Sequence, residues 1–192
     1  MKTAYILHGA CDAEEYFEMD FPSPSNAHWL PWLQQKFLRA GFLCQTPEMP
    51  KPYAPDYQEW CKVFKCASIA PDSIVVAHSA GAGFFLRWLK DNPQASLSQL
   101  LMVAPWLDPY REHGPFLQGA IPDNLNDQVT DVQVFISQDD PVAGVRKTHQ
   151  MLQEKYPQIK SHRFNDKGHF CLGDIGPTFP ELWHAAMPDV RK

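Results

Sequence analysis

The sequence predicts an α/β protein, a doubly wound and mostly parallel sheet with helices on both faces. Three observations carry that prediction. Short runs rich in Val, Ile and Leu alternate with helical patterns, the central runs are apolar throughout, and no repeat or low-complexity segment breaks the order. A strand buried on both faces reads as a continuous apolar run, whereas a half-solvated strand alternates with period two.

The elements follow in order. "AYIL" (Ala4–Leu7) is a first strand that ends in "HGA". "WLPWLQQKFLRAG" sets Trp29, Leu30, Leu33, Phe37 and Leu38 at helical spacing and stops at Gly41, a C-cap residue. "FLCQTP" is a short strand leading into the proline-stiffened "EMPKPYAP". Asp56 then caps "YQEWCKVFKCA", in which Trp60, Val63 and Phe64 share a face. "SIVVAH" follows the Pro71-Asp72 turn and gives way to the helix "SAGAGFFLRWLKD". "LSQLLMVAPW" and "VQVFIS" (Val132–Ser137) are further buried strands; residues 105–128 between them read as a loop or partial helix over one end of the sheet. "PVAGVRKTHQMLQEKY" is an amphipathic helix with proline near its first turn, "IKSHRF" a more polar strand nearer an edge, and "PELWHAAM" a short terminal helix.

With 192 residues, 44% hydrophobic and 20% charged, the chain suits one substantial core, and a single domain over residues 1–192 is expected. A net charge of -5 and the lack of any Lys/Arg block argue against a nucleic-acid surface. The five cysteines, at 11, 44, 61, 66 and 171, contain no CxxC, and an odd, irregular set argues for a reducing compartment. The apolar run near the start is too short for a signal-peptide core, and no stretch approaches the roughly 18 apolar residues of a membrane helix. With Met1 in place, the expected location is the cytoplasm and the expected form a monomer or small homo-oligomer without a membrane partner.

The chemistry gathers at strand ends. "VAHSAG" puts Ser79 between an apolar strand and a helix start, with Ala77 and Gly81 as the small residues two positions either side. That is the pattern of a nucleophile elbow, where strand and helix backbones pass closely. Alanine at the first small position adds only one methyl group. "FISQDDPV" places Asp139 and Asp140 just after a strand, and "FNDKGHF" places His169 in a loop after the last strand. Serine, acid and base therefore follow one another in the chain order of this kind of triad, all at C-terminal strand ends. "LHGA" supplies a short loop whose Ala10 N–H, beside that of Ala80, forms an oxyanion hole; His8 is read as the orienter of that loop. The histidines and cysteines form no HExxH or paired CxxC motif, so neither a metal nor a cofactor is expected.

"YILHGA", "HWLPWL", "MPKP", "VVAHSAG", "SQDDP" and "KGHF" together resemble the small alpha/beta hydrolases related to human retinoblastoma-binding protein nine and its bacterial relatives. The resemblance implies a compact alpha/beta hydrolase fold without a large cap domain and a triad of Ser79, Asp140 and His169. It also favours Asp140 over Asp139; Asp108 in "PWLDP" is an outside candidate for the acid. Ala77 stands where the family has glycine. The implied reaction is hydrolysis of a small-molecule acyl substrate: an ester of small or medium size, or an amide or small peptide bond. Trp29, Trp106, Tyr110, Phe116 and Phe170 are candidates for an apolar acyl pocket, or else core and loop anchors. A different class of function, a protein-interaction module that merely retains the triad, is suggested by the name of the human relative.

Overall fold

The computed structural model describes residues 2–189, so Met1 and the last three residues of the expected 1–192 domain lie outside it. Its centre is a six-stranded sheet in which every pairing is parallel. The strands are β1 (Thr3–Leu7), β2 (Leu43–Gln45), β3 (Ile74–His78), β4 (Leu97–Val103), β5 (Val129–Ser137) and β6 (Lys160–Phe164). Their order is β2-β1-β3-β4-β5-β6, which leaves the polar "KSHRF" strand at an edge and buries β3 completely.

The helices are α1 (Ala13–Phe17), α2 (Leu30–Arg39), α3 (Tyr57–Phe64), α4 (Ala80–Asp91), α5 (Leu125–Gln128), α6 (Ala143–Lys155), α7 (Leu172–Ile175) and α8 (Pro180–Ala186). The chain steps from β1 outward to β2, then crosses back past β1 to β3, and right-handed crossovers put the two connections on opposite faces. Aromatic packing marks those faces. Phe37 of α2 meets Trp183 of α8, while Trp60 and Phe64 of α3 pack edge-on against Phe84 of α4. Asp56 caps α3 by accepting a hydrogen bond from the Glu59 N–H at 3.0 Å. Pro141 lies ahead of α6, because Val142 is extended and forms the cap itself. The helices α1, α5 and α7 have four or five residues each and lack the length that makes a 3.6-residue period visible.

The reversal of strand order at β1 opens a crevice beyond the C-terminal ends of β1 and β3, the usual ligand position in such sheets. Two glycines let the backbones crowd there. A side chain at Gly9 would come 2.8 Å from the Ser79 Cβ, and one at Gly81 would overlap the His8 carbonyl oxygen. Gly81 sits in the first turn of α4, so alanine would help the helix in isolation. The carbonyl overlap decides the sign: Gly81→Ala is expected to destabilise the fold by about 1–3 kcal/mol in urea denaturation, and unchanged stability would refute this packing.

Candidate active site

Ser79 joins the end of β3 to the start of α4 with φ 52° and ψ −122°, a conformation that costs a non-glycine residue about 1–3 kcal/mol. Neighbouring strands hold it there. The Ser79 N–H donates to the Val103 carbonyl at 2.9 Å, and its own carbonyl accepts from the N–H groups of Ala82 and Trp106, each at 3.1 Å. The turn is thereby fixed by backbone from both β4 and α4. Ala77, where glycine was expected from the resemblance, is fully buried in β3 beside Leu7 and Met102, and the turn forms with its methyl in place.

The structure brings Ser79, Asp140 and His169 together. His169 Nε2 lies 3.0 Å from Ser79 Oγ, and His169 Nδ1 lies 2.9 and 3.1 Å from the two oxygens of Asp140. A carboxylate accepts, so Nδ1 carries the proton and Nε2 presents its lone pair to the serine hydroxyl. The Asp140 side chain is buried and also accepts from the Val142 N–H at 2.8 Å. Asp139 does other work. Its Oδ1 accepts from the Ser137 hydroxyl and, at 3.0 Å, from the Gly168 N–H, which moors the loop carrying His169. Asp108 is turned away as well: its oxygens accept from the Glu112 and His113 N–H groups at 2.6 and 2.8 Å.

Ala80 directly follows Ser79 in the chain, and Ala10 directly follows Gly9, which packs on Ser79. Ala80 heads α4, where the first N–H groups have no helical partner, and Ala10 lines the crevice. Neither N–H donates to a protein acceptor among the described residues. His8 is engaged at both ring nitrogens: Nδ1–H donates to the Gly9 carbonyl at 2.7 Å, and Nε2 accepts from the Met49 N–H at 2.8 Å.

The crevice is a cavity of about 420 Å³ in which Ser79 and His169 are joined by Gly9, His28, Trp106 and His113. The aromatic expectation needs correcting here. Trp106 lines the cavity, but Trp29, Tyr110, Phe116 and Phe170 do not. Trp29 is fully buried and donates its indole N–H to the Phe170 carbonyl at 3.1 Å. Phe170 turns inward against Phe179, Phe116 packs on Trp60, and Tyr110 faces solvent. Proximity to a strand end in sequence does not set the direction of a side chain on an irregular loop.

Two thiols reach the same cavity, Cys11 and Cys171. Burial, reinforced by nearby carboxylates, pushes them up to about 11 and about 12, so both stay protonated at neutral pH and are poor nucleophiles. Among the described residues, no group of three His, Cys, Asp or Glu side chains is arranged to hold a metal ion. No described helix is long and apolar enough to cross a membrane.

A family model described as serine hydrolase matches residues 21–174. The chain belongs to this serine hydrolase family, and it is an enzyme, a hydrolase. No curated protein matches it significantly by sequence. Solved structures share its fold. The ydeN gene product of Bacillus subtilis superposes with a TM-score of 0.82 at 22% identity, covering 98% of each chain. A serine hydrolase from Cycloclasticus zankles gives 0.58 at 15%, over 99% of this chain and 92% of that one. A serine hydrolase without lid from Xanthomonas campestris gives 0.55 at 12%, over 97% and 79%. The first of these agrees with the sequence resemblance to retinoblastoma-binding protein nine and its bacterial relatives, and the family is that of small alpha/beta serine hydrolases.

The sequence shows no sign of the histidines around His169. His78, the residue before the serine, and His28, in "HWLPWL", both line the cavity. Burial lowers the proton affinity of His8, His28 and His78; for His78 it is lowered well below the ordinary value, with His169 and His28 adding repulsion. Each ring is thus neutral in the folded protein and charges on unfolding below about pH 6.5. The unfolded state then binds more protons, so stability is full above that pH and falls as the pH drops towards the folded values. The expected slope is at most about 1.4 kcal/mol per pH unit for each histidine. Urea denaturation from about pH 8 to pH 5 checks this, and a flat profile would contradict neutral burial.

Proposed function

We propose that the protein is a carboxylesterase acting on small or medium acyl esters, with Ser79 as nucleophile, His169 as general base and Asp140 as its orienter. One observation carries the reading: Ser79 Oγ faces the lone pair of an imidazole whose other nitrogen is held by a buried carboxylate. His169 takes the hydroxyl proton as Oγ attacks the acyl carbonyl, and the N–H groups of Ala80 and Ala10 receive the developing oxyanion. The tetrahedral intermediate collapses, His169 returns the proton to the departing alcohol, and Ser79 is left acylated. Water, deprotonated by His169, then releases the acid and restores the serine. A cavity of about 420 Å³ suits a compact acyl group.

A second reading, hydrolysis of aminoacyl esters or amides, is favoured by the charge of the cavity wall. Asp12, Glu15 and Glu112 line it, no Lys or Arg does, and among the described residues none of the three carboxylates forms an ion pair. A cationic ammonium group on the substrate would supply the missing partner.

Labelling with a fluorophosphonate probe tests the enzyme reading, with loss of label expected in Ser79→Ala together with a fall in kcat of at least about a thousandfold. Labelling that persists in Ser79→Ala would sink it. Matched acyl and aminoacyl esters separate the two substrate classes: a preference for the aminoacyl member that disappears in Glu15→Gln would replace the first reading with the second.

A further inference from the structure

We propose that His78 is a positioning residue for His169, tying the loop that bears the base directly to the turn that bears the nucleophile. The inference rests on His169 being the base, and it concerns how that base is held.

His78 ends β3, immediately before Ser79, and is buried. Its Nε2 lies 2.8 Å from the His169 carbonyl oxygen. A carbonyl only accepts, so Nε2 carries the proton and His78 is the donor. The bond spans 91 residues of sequence and joins the two segments whose side chains must meet at 3.0 Å. Neutrality is built in, because burial and the adjacent histidines strongly disfavour a second proton on this ring.

The neighbouring geometry explains why such a tie is needed. Phe170 follows the base at φ 60°, a left-handed conformation that a bulky residue adopts only when its surroundings impose it. Two consecutive carbonyls there are each held by a buried ring donor: His169 by His78, and Phe170 by the indole of Trp29. The two donors brace each other, with ring centroids 6.0 Å apart and near-perpendicular planes. His28 also packs edge-on against His78, at 5.7 Å, while its own Nδ1 accepts from the Leu172 N–H at 3.1 Å. The base loop is therefore anchored through β3, the strand that also fixes Ser79. Removing the His78 donor frees the His169 carbonyl, and the imidazole of His169, which packs on the His78 ring at a centroid distance of 5.0 Å, loses that neighbour as well.

The test compares wild type with His78→Gln, His78→Asn and His78→Leu in ester hydrolysis, with thermal unfolding measured alongside. A glutamine amide nitrogen reaches the place of Nε2, whereas an asparagine amide nitrogen reaches only that of Nδ1. The expected result is a kcat lowered about 30-fold in the Asn and Leu variants with KM within about twofold, and most of the loss recovered in Gln. Equal kcat in all folded variants, or a change confined to KM, overturns the proposal. If Asn and Leu fail to fold, nitrogen-15 NMR of the wild-type imidazoles at about pH 8 decides: a proton on Nε2 of His78 supports it, and an Nδ1–H tautomer with a bare Nε2 overturns it. Wild type without Ser79 labelling by a fluorophosphonate would remove the serine-hydrolase reading and this proposal together. Labelled wild type with indifferent His78 variants would remove this proposal alone.

Discussion

Everything in the site depends on one strained residue being held still. Ser79 occupies a left-handed turn that serine adopts only under constraint, and the constraint comes from the strand on either side of β3. β4 supplies the Val103 carbonyl and, just beyond it, the Trp106 N–H. From β1 comes the Gly9 loop, close enough that any side chain there would press on the serine. Parallel pairing makes this possible, since it brings the C-terminal ends of three neighbouring strands to one place. The strain is local, and the fully buried β3 beneath it is pinned on both flanks by β1 and β4.

His169, the proposed base, is held by a different kind of constraint. It lies on a loop, and loops alone position side chains poorly. Here the loop is tied at nearly every backbone group. Lys167 N–H bonds to the Ser137 hydroxyl, Gly168 N–H to Asp139, and His169 and Cys171 N–H to Asp174, while the carbonyls of His169 and Phe170 face ring donors. Gly168 has φ 48° and no room for a side chain, because Asp174 fills that space. The adjacent aspartates at 139 and 140 thus divide their labour, one mooring the loop's backbone and the other its imidazole.

Much of this was legible in the sequence, for identifiable reasons. The sheet could be read because double burial leaves uninterrupted apolar runs such as Ile74–Val76. Ser79, Asp140 and His169 could be nominated because chain order and strand ends constrain where such residues fall, although spacing alone left Asp139 and Asp140 equivalent. The family resemblance through "DDP" favoured Asp140, whereas the mooring role of Asp139 depends on the loop's hydrogen bonding, which no local pattern encodes. The aromatics, open in the sequence between pocket wall and core or loop anchor, could not be assigned for the same reason. Trp29 and Phe170 sit beside the site in sequence, yet a positive φ at His28 and at Phe170 re-aims the backbone and sends both rings into the core. His78 was visible throughout as the residue before the serine; its partner, 91 positions away, was not.

The central claim is that Ser79 is activated through His169 and carries the acyl group between two chemical steps. Rapid mixing with a chromogenic acetate ester, followed by acid quench and peptide mapping, tests it most directly. The expected result is a burst of released alcohol close to one equivalent per enzyme at short times, an acetyl group on the peptide containing Ser79, and loss of both in His169→Ala. Hydrolysis that proceeds with the acetyl group on Cys11 or Cys171, or at an undiminished rate without His169, would contradict it.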